Sequence, residues 1–116
     1  MTPEEACFIQ DFKDQQRLAS KIESDHGFCD SPDYNVGEKI ALVHAELSEA
    51  LEYLRKSENA LSDHIPDFFG VEEEFADVII RLMGIAQYKG YRIAEAIVAK
   101  QAFNAGRPYK HGGKKF

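Results

Sequence analysis

The sequence predicts an all-α protein, an antiparallel four-helix bundle, on three observations. Four segments repeat their apolar residues at helical spacing, none alternates like a strand, and Gly or Pro punctuates the gaps. With 116 residues the chain suits one domain, spanning 1–116, and can bury roughly two-thirds of its unfolded surface without staples.

The first helix is expected from about Glu4 to Asp25, with Phe8, Phe12, Ala19 and Ile22 near helical spacing. It ends before Gly27, and residues 29–35 (CDSPDYN) read as a loop with turn chemistry around Pro32. The second runs from about Val36 to Lys56, with Ile40, Val43, Leu47, Ala50 and Leu54 on one stripe. Residues 57–70 connect, broken by Pro66 and Gly70. The third starts near Val71 with three glutamates in its first turn, where the helix dipole favours them, and stops at Gly90. The fourth runs from about Arg92 to Ala105 and is ended by Gly106 and Pro108. On helix three the apolar residues from Ile85 through Leu82 and Ile79 to Met83 and Ile80 cover an arc of about 220°. One core face needs less, so the bundle is expected to be completed by oligomerisation.

Composition excludes several classes. Hydrophobic residues make 44% and charged residues 29%, the balance of a globular domain. No apolar run approaches the ~20 residues of a membrane span, and MTPEEACF has no basic or apolar leader pattern, so a cytoplasmic protein is expected. Cys7 and Cys29 fit no zinc or CxxC spacing. The net charge of −6 is uneven: all 20 acidic residues lie in 1–95, while 96–116 hold five bases and no acid. An acidic body argues against nucleic-acid binding, though a short basic end can hold a small polyanion.

The chemistry sits in paired carboxylates. Glu46 and Glu49 stand i, i+3 on helix two, and Glu74 and Asp77 do so on helix three, each pair on one helix side. Facing helices would present four carboxylates to one point. Such a cluster repels itself unless hard divalent cations neutralise it, and oxygen ligands suit Mg²⁺ or Mn²⁺. One such pair is ordinary on a solvated helix; two on adjacent helices are less so. Glu38, Glu52, Glu72 and Glu73 read as first-turn or surface charges. On helix four, Lys100 and Asn104 fall on the stripe of Ile93 and Ile97, and Arg107 follows within a turn. Inward-facing Lys and Asn need partners, and phosphates would serve. No Ser/His/Asp or Cys/His set competes, since His26 and His64 lie near loops and His44 points away from the core. Phe8, Phe12, Tyr34 and Phe69 read as packing residues.

The pattern Glu46-x-x-Glu49, 24 residues, then Glu74-x-x-Asp77 resembles the motif of the MazG-like all-α nucleoside triphosphate pyrophosphohydrolases. The ending Lys100-x-x-x-Asn104-x-x-Arg107-Pro-Tyr-Lys-His-Gly resembles the tail of the small members. The resemblance covers about residues 36–116. It implies a helical homodimer or homotetramer that uses Mg²⁺ to hydrolyse (d)NTP to (d)NMP and pyrophosphate in nucleotide-pool house-cleaning. It also implies Glu46, Glu49, Glu74 and Asp77 as metal ligands, Glu49 as the group activating water, and Lys100, Asn104 and Arg107 as phosphate or sugar contacts. Arg81 departs from the pattern, standing where some relatives carry an aromatic. A phosphoribosyl-ATP pyrophosphatase-like enzyme and a non-catalytic acidic helical module are the alternatives. A di-iron carboxylate bundle would need two Glu-x-x-His motifs, and the chain holds only Glu23-Ser-Asp-His26.

Overall fold

The computed structural model describes residues 1–27 and 34–108. Cys29, the turn around Pro32 and the basic close of the chain at 109–116 lie outside the described residues. Four helices form, and no strand occurs among the described residues: α1 Pro3–Asp25, α2 Val36–Lys56, α3 Gly70–Lys89 and α4 Ile93–Ala105. The class is all-α, as the periodicity predicts. No described helix is long and apolar enough to cross a membrane.

Each border has a local cause. At α1 the Glu5 amide donates to Thr2 Oγ1 at 3.1 Å and the Thr2 amide donates to Glu5 Oε1 at 2.7 Å, a reciprocal cap. Pro3 then takes the first helical position, where its missing N–H costs nothing, so α1 starts one residue before the expected Glu4. Asn35 caps α2 by accepting from the Glu38 amide at 3.1 Å. Glu72 reaches back to accept from the Phe69 amide at 2.8 Å and fixes the start of α3. Gly90 ends α3 with φ 72°, in the left-handed region that glycine enters without strain. Arg92 becomes the N-cap of α4 rather than its first residue.

The chain forms two compact units, Met1–Asp14 with Arg92–Phe116 and Gln15–Tyr91. In the first, Phe8 and Phe12 pack at 5.7 Å between ring centres, and Lys13 pairs with Glu95 at 3.0 Å. Ala94 is the buried residue of α4, and α4 is exposed from Ala99 onward. The inward polar stripe expected at Lys100 and Asn104 is therefore open surface in the single chain.

The second unit is built on an antiparallel α2–α3 hairpin. Tyr53 lies against Gly70, Glu46 bonds Arg81, and Tyr34 stacks on Tyr88: as numbers fall on the α2 side they rise on α3. The Tyr53 ring occupies the space a β-carbon at residue 70 would need, so glycine there sets how closely the helices start. The connection closes on itself through Ser62 N–H to Phe68 O at 2.9 Å and Gly70 N–H to Ala60 O at 2.7 Å. Buried Gln16 donates to Gln87 Oε1 at 3.0 Å and ties α1 to α3.

The core is thin. Val43, Ala50, Met83, Ile85 and Ala86 are buried, but Ile40, Leu47, Leu51 and Leu54 of α2 and Phe75, Ile79 and Ile80 of α3 are 42–50% exposed. Three of the five residues of the predicted α2 stripe, Ile40, Leu47 and Leu54, are thus uncovered in a single chain.

Candidate metal centre

Antiparallel pairing carries the i, i+3 carboxylates of the two helices to one level. Glu46, Glu74 and Asp77 each bring an oxygen into a group whose members lie within 4.8 Å of one another. Glu74 is 6% exposed and Glu46 9%. Glu49, expected as a fourth ligand, lies beside Glu74 but is exposed and outside this tight group. One more helical turn along α2 from Glu46 toward the hairpin loop brings it to the edge of the centre.

Electrostatics distinguish the centre from an acidic surface. Burial, hydrogen bonding to Glu46 and Glu49, and their charges push the Glu74 carboxyl up to about 8. Asp77 is raised by burial and by the charge of Glu46, against a smaller opposing pull from Arg81. Glu74 Oε2 is buried with no hydrogen-bond partner. A buried carboxylate oxygen without a donor is costly, and the surrounding groups are acceptors like itself. A hard cation with oxygen preference fits that donor set.

Among the described residues, Arg81 is the cation bonded to the centre. Its Nε and Nη2 both lie 2.9 Å from the same oxygen, Glu46 Oε1. A cavity of about 490 Å³ opens beside it, with Glu46 and Asp77 on one wall and Tyr34, Lys39, Leu42 and Ile85 among the others. Tyr34, read from sequence as packing, is held on this wall by Tyr88, stacked at 3.7 Å, and by the Lys39 ammonium, 5.2 Å from its ring centre. A second cavity, of about 470 Å³, is lined by Glu49, Glu74, Tyr53, Lys56, Asp63 and His64. The carboxylate centre contributes walls to both.

The basic candidates lie in the other compact unit. Lys100 and Asn104 on α4, and Arg107 just beyond it, are exposed. Lys100 Nζ stands 4.5 Å and the Arg107 guanidinium 5.8 Å from the Phe103 ring centre, so both cations gather at one aromatic ring.

Glu73 is a first-turn charge of α3, as expected, and it is also an anchor with 13% of its side chain exposed. The buried Ser62 hydroxyl donates to Glu73 Oε1, and His64 Nδ1 meets Glu73 Oε2 at 2.7 Å. This pairing lowers the Glu73 pKa, chiefly through Ser62, and raises that of His64. Ser62 Oγ also accepts from the Ile65 amide at 3.0 Å. Serine and histidine each bond the carboxylate, so the set pins the hairpin loop and is no nucleophile relay. The sequence carries one faint trace of it, a polar Ser-x-His within an otherwise breaker-rich connection.

Comparison with protein-family models, with curated proteins and with solved structures returns no match.

Proposed function

We propose that the protein is a Mg²⁺-dependent nucleoside triphosphate pyrophosphohydrolase, converting (d)NTP and water to (d)NMP and pyrophosphate in nucleotide-pool house-cleaning. The observation that carries the reading is the buried, unpartnered Glu74 oxygen set among Glu46 and Asp77. The motif spacing on α2 and α3, and its resemblance to the MazG-like enzymes, add the reaction class.

Glu46, Glu74 and Asp77 would hold the metal, with Mn²⁺ a substitute, and Glu49 stands beside them. Bound there, the metal neutralises phosphate charge and lowers the pKa of a water. Loading requires Glu74 to release its proton, so affinity rises with pH. Glu49, solvent-open beside Glu74, would take a proton from the attacking water. Tyr34, Leu42 and Ile85 offer the adjoining cavity a mixed apolar and aromatic wall suited to a nucleoside. Lys100, Asn104 and Arg107 would hold phosphates, a role resting on the resemblance of the tail. A homodimer or homotetramer would cover the exposed α2 and α3 side chains, whose apolar area exceeds what a lone chain buries.

A panel of NTPs and dNTPs with Mg²⁺, scored by pyrophosphate release, tests the reading. Turnover is expected for at least one nucleotide and should vanish in Asp77→Asn and Glu49→Gln while helical circular dichroism persists. No pyrophosphate from any nucleotide, or near-wild-type turnover by Asp77→Asn, would overturn it.

A further inference from the structure

Resting on the metal reading above, we infer that Arg81 is a resident counter-ion of the carboxylate centre: a divalent cation displaces it from Glu46, and the freed guanidinium turns to the phosphate of the ligand. Both prongs of Arg81 converge on Glu46 Oε1 at 2.9 Å, instead of spreading over the two oxygens as in a fork-to-fork pair. The guanidinium therefore sits on one of the three oxygen-bearing groups that would ligate a cation. Two cations on one carboxylate oxygen repel strongly in a partly buried site, so occupancy by Arg81 and by a metal is competitive.

Exposure says which partner moves. The Glu46 side chain is 11% exposed and its helix is packed on α3, whereas the Arg81 side chain is 37% exposed and lines the cavity of about 490 Å³. The charged groups lining that cavity are Glu23, Glu46 and Asp77 with Lys39 and Arg81, so an anion drawn in by a bound cation would meet the freed guanidinium there. Linkage makes the effect reciprocal: an anion that pulls Arg81 from Glu46 tightens metal binding by the factor by which metal tightens anion binding. A purely structural Arg81, bridging α2 to α3, requires the opposite, since loosening the bridge would misplace Glu46 and weaken metal binding.

The test titrates Mn²⁺ into metal-stripped wild type, Arg81→Gln and Arg81→Lys, reading free Mn²⁺ by electron paramagnetic resonance. Arg81→Gln should bind Mn²⁺ about five- to tenfold tighter, with Arg81→Lys between. Equal or weaker binding by Arg81→Gln overturns the proposal. In the Mg²⁺-saturated proteins, inorganic phosphate should bind Arg81→Gln about tenfold more weakly than wild type; equal affinity overturns the phosphate half. Should Arg81→Gln not fold, the wild-type Arg81 Nε–H resonance decides. It should move when Mg²⁺ is added, and a resonance that stays fixed while calorimetry records Mg²⁺ binding overturns displacement. Absence of Mn²⁺ binding in wild type and variants alike would instead overturn the metal reading on which this one stands.

Discussion

Glu74 and Glu95 share one feature and differ in everything that surrounds it. Each has a buried carboxylate oxygen without a hydrogen-bond partner. Glu95, on α4, pairs through its other oxygen with Lys13 at 3.0 Å, and that bond holds its pKa below the usual range. Glu74, on α3, has acids for neighbours and is pushed up to about 8. An orphaned oxygen is thus no metal signal by itself. What marks the α2–α3 centre is the orphan joined to a crowd of acids, a charge that a paired Lys13 balances at Glu95 in one unit and that Arg81 offsets at Glu46 in the other.

Neutralising each carboxylate in turn sharpens that contrast most. Glu74→Gln should cut pyrophosphate release more than about a hundredfold, because loss of a ligand costs more than the ten- to hundredfold typical of groups that merely orient ligands. Glu95→Gln should leave release within about twofold. Matching losses in the two variants would erase the distinction. Next in size come Lys100→Ala and Arg107→Ala, expected to lower kcat/KM about ten- to a hundredfold each if they hold phosphates. Ordinary surface changes stay within about 0.5 kcal/mol, so kinetics on either variant decides between phosphate contact and solvated tail.

The two carboxylates also respond to pH with opposite sign. Glu74 keeps its proton in the folded protein up to about pH 8 but ionises near 4.5 in the unfolded chain. The folded state therefore binds the extra proton, and metal-free stability should fall as pH rises from about 4.5 to 8. Glu74→Gln should flatten that fall, and saturating Mg²⁺ should reverse it. Glu95 is depressed, so its contribution is present above the unfolded pKa and disappears on acidification through the folded one. Melting temperatures across pH, with and without Mg²⁺, check both. The smallest effect is expected from Lys13→Ala, which breaks a pair with 40% and 30% side-chain exposure and should shift the melt by only a few degrees at most.

Much of the helical frame was legible because its signals are local. The apolar stripe from Ile40 to Leu54 places α2 at Val36–Lys56 in sequence and structure alike, and the structure adds Asn35 as its cap. Thr2 and Pro3 shift the α1 start by one residue because the cap exchanges two hydrogen bonds that periodicity does not register. At the site, i, i+3 spacing foretold which carboxylates share a helix face. It could not foretell depth: Glu74 is buried while Glu49 is exposed, a difference made by where the antiparallel partner crosses. Arg81 was visible only as a departure from the motif, since its bond to Glu46 spans 35 positions. The anchoring role of Glu73, a first-turn charge as read, was hidden for the same reason, its partners lying in a loop with no periodic signal. On α4, Lys100 and Asn104 lie along the stripe of Ile93 and Ile97 by angle, yet the second half of that helix is exposed.

The central claim is that Glu46, Glu74 and Asp77 form a divalent-cation site. Calorimetric titration of Mg²⁺ into the metal-free protein at pH 7, repeated in buffers of different ionisation enthalpy, tests it most directly, because it counts protons released along with ions bound. With Glu74 protonated below about pH 8, wild type should bind Mg²⁺ and release close to one proton per site. Glu74→Gln should lose both the binding and the release. Identical isotherms from the two proteins, or no Mg²⁺ binding by wild type, would contradict the claim.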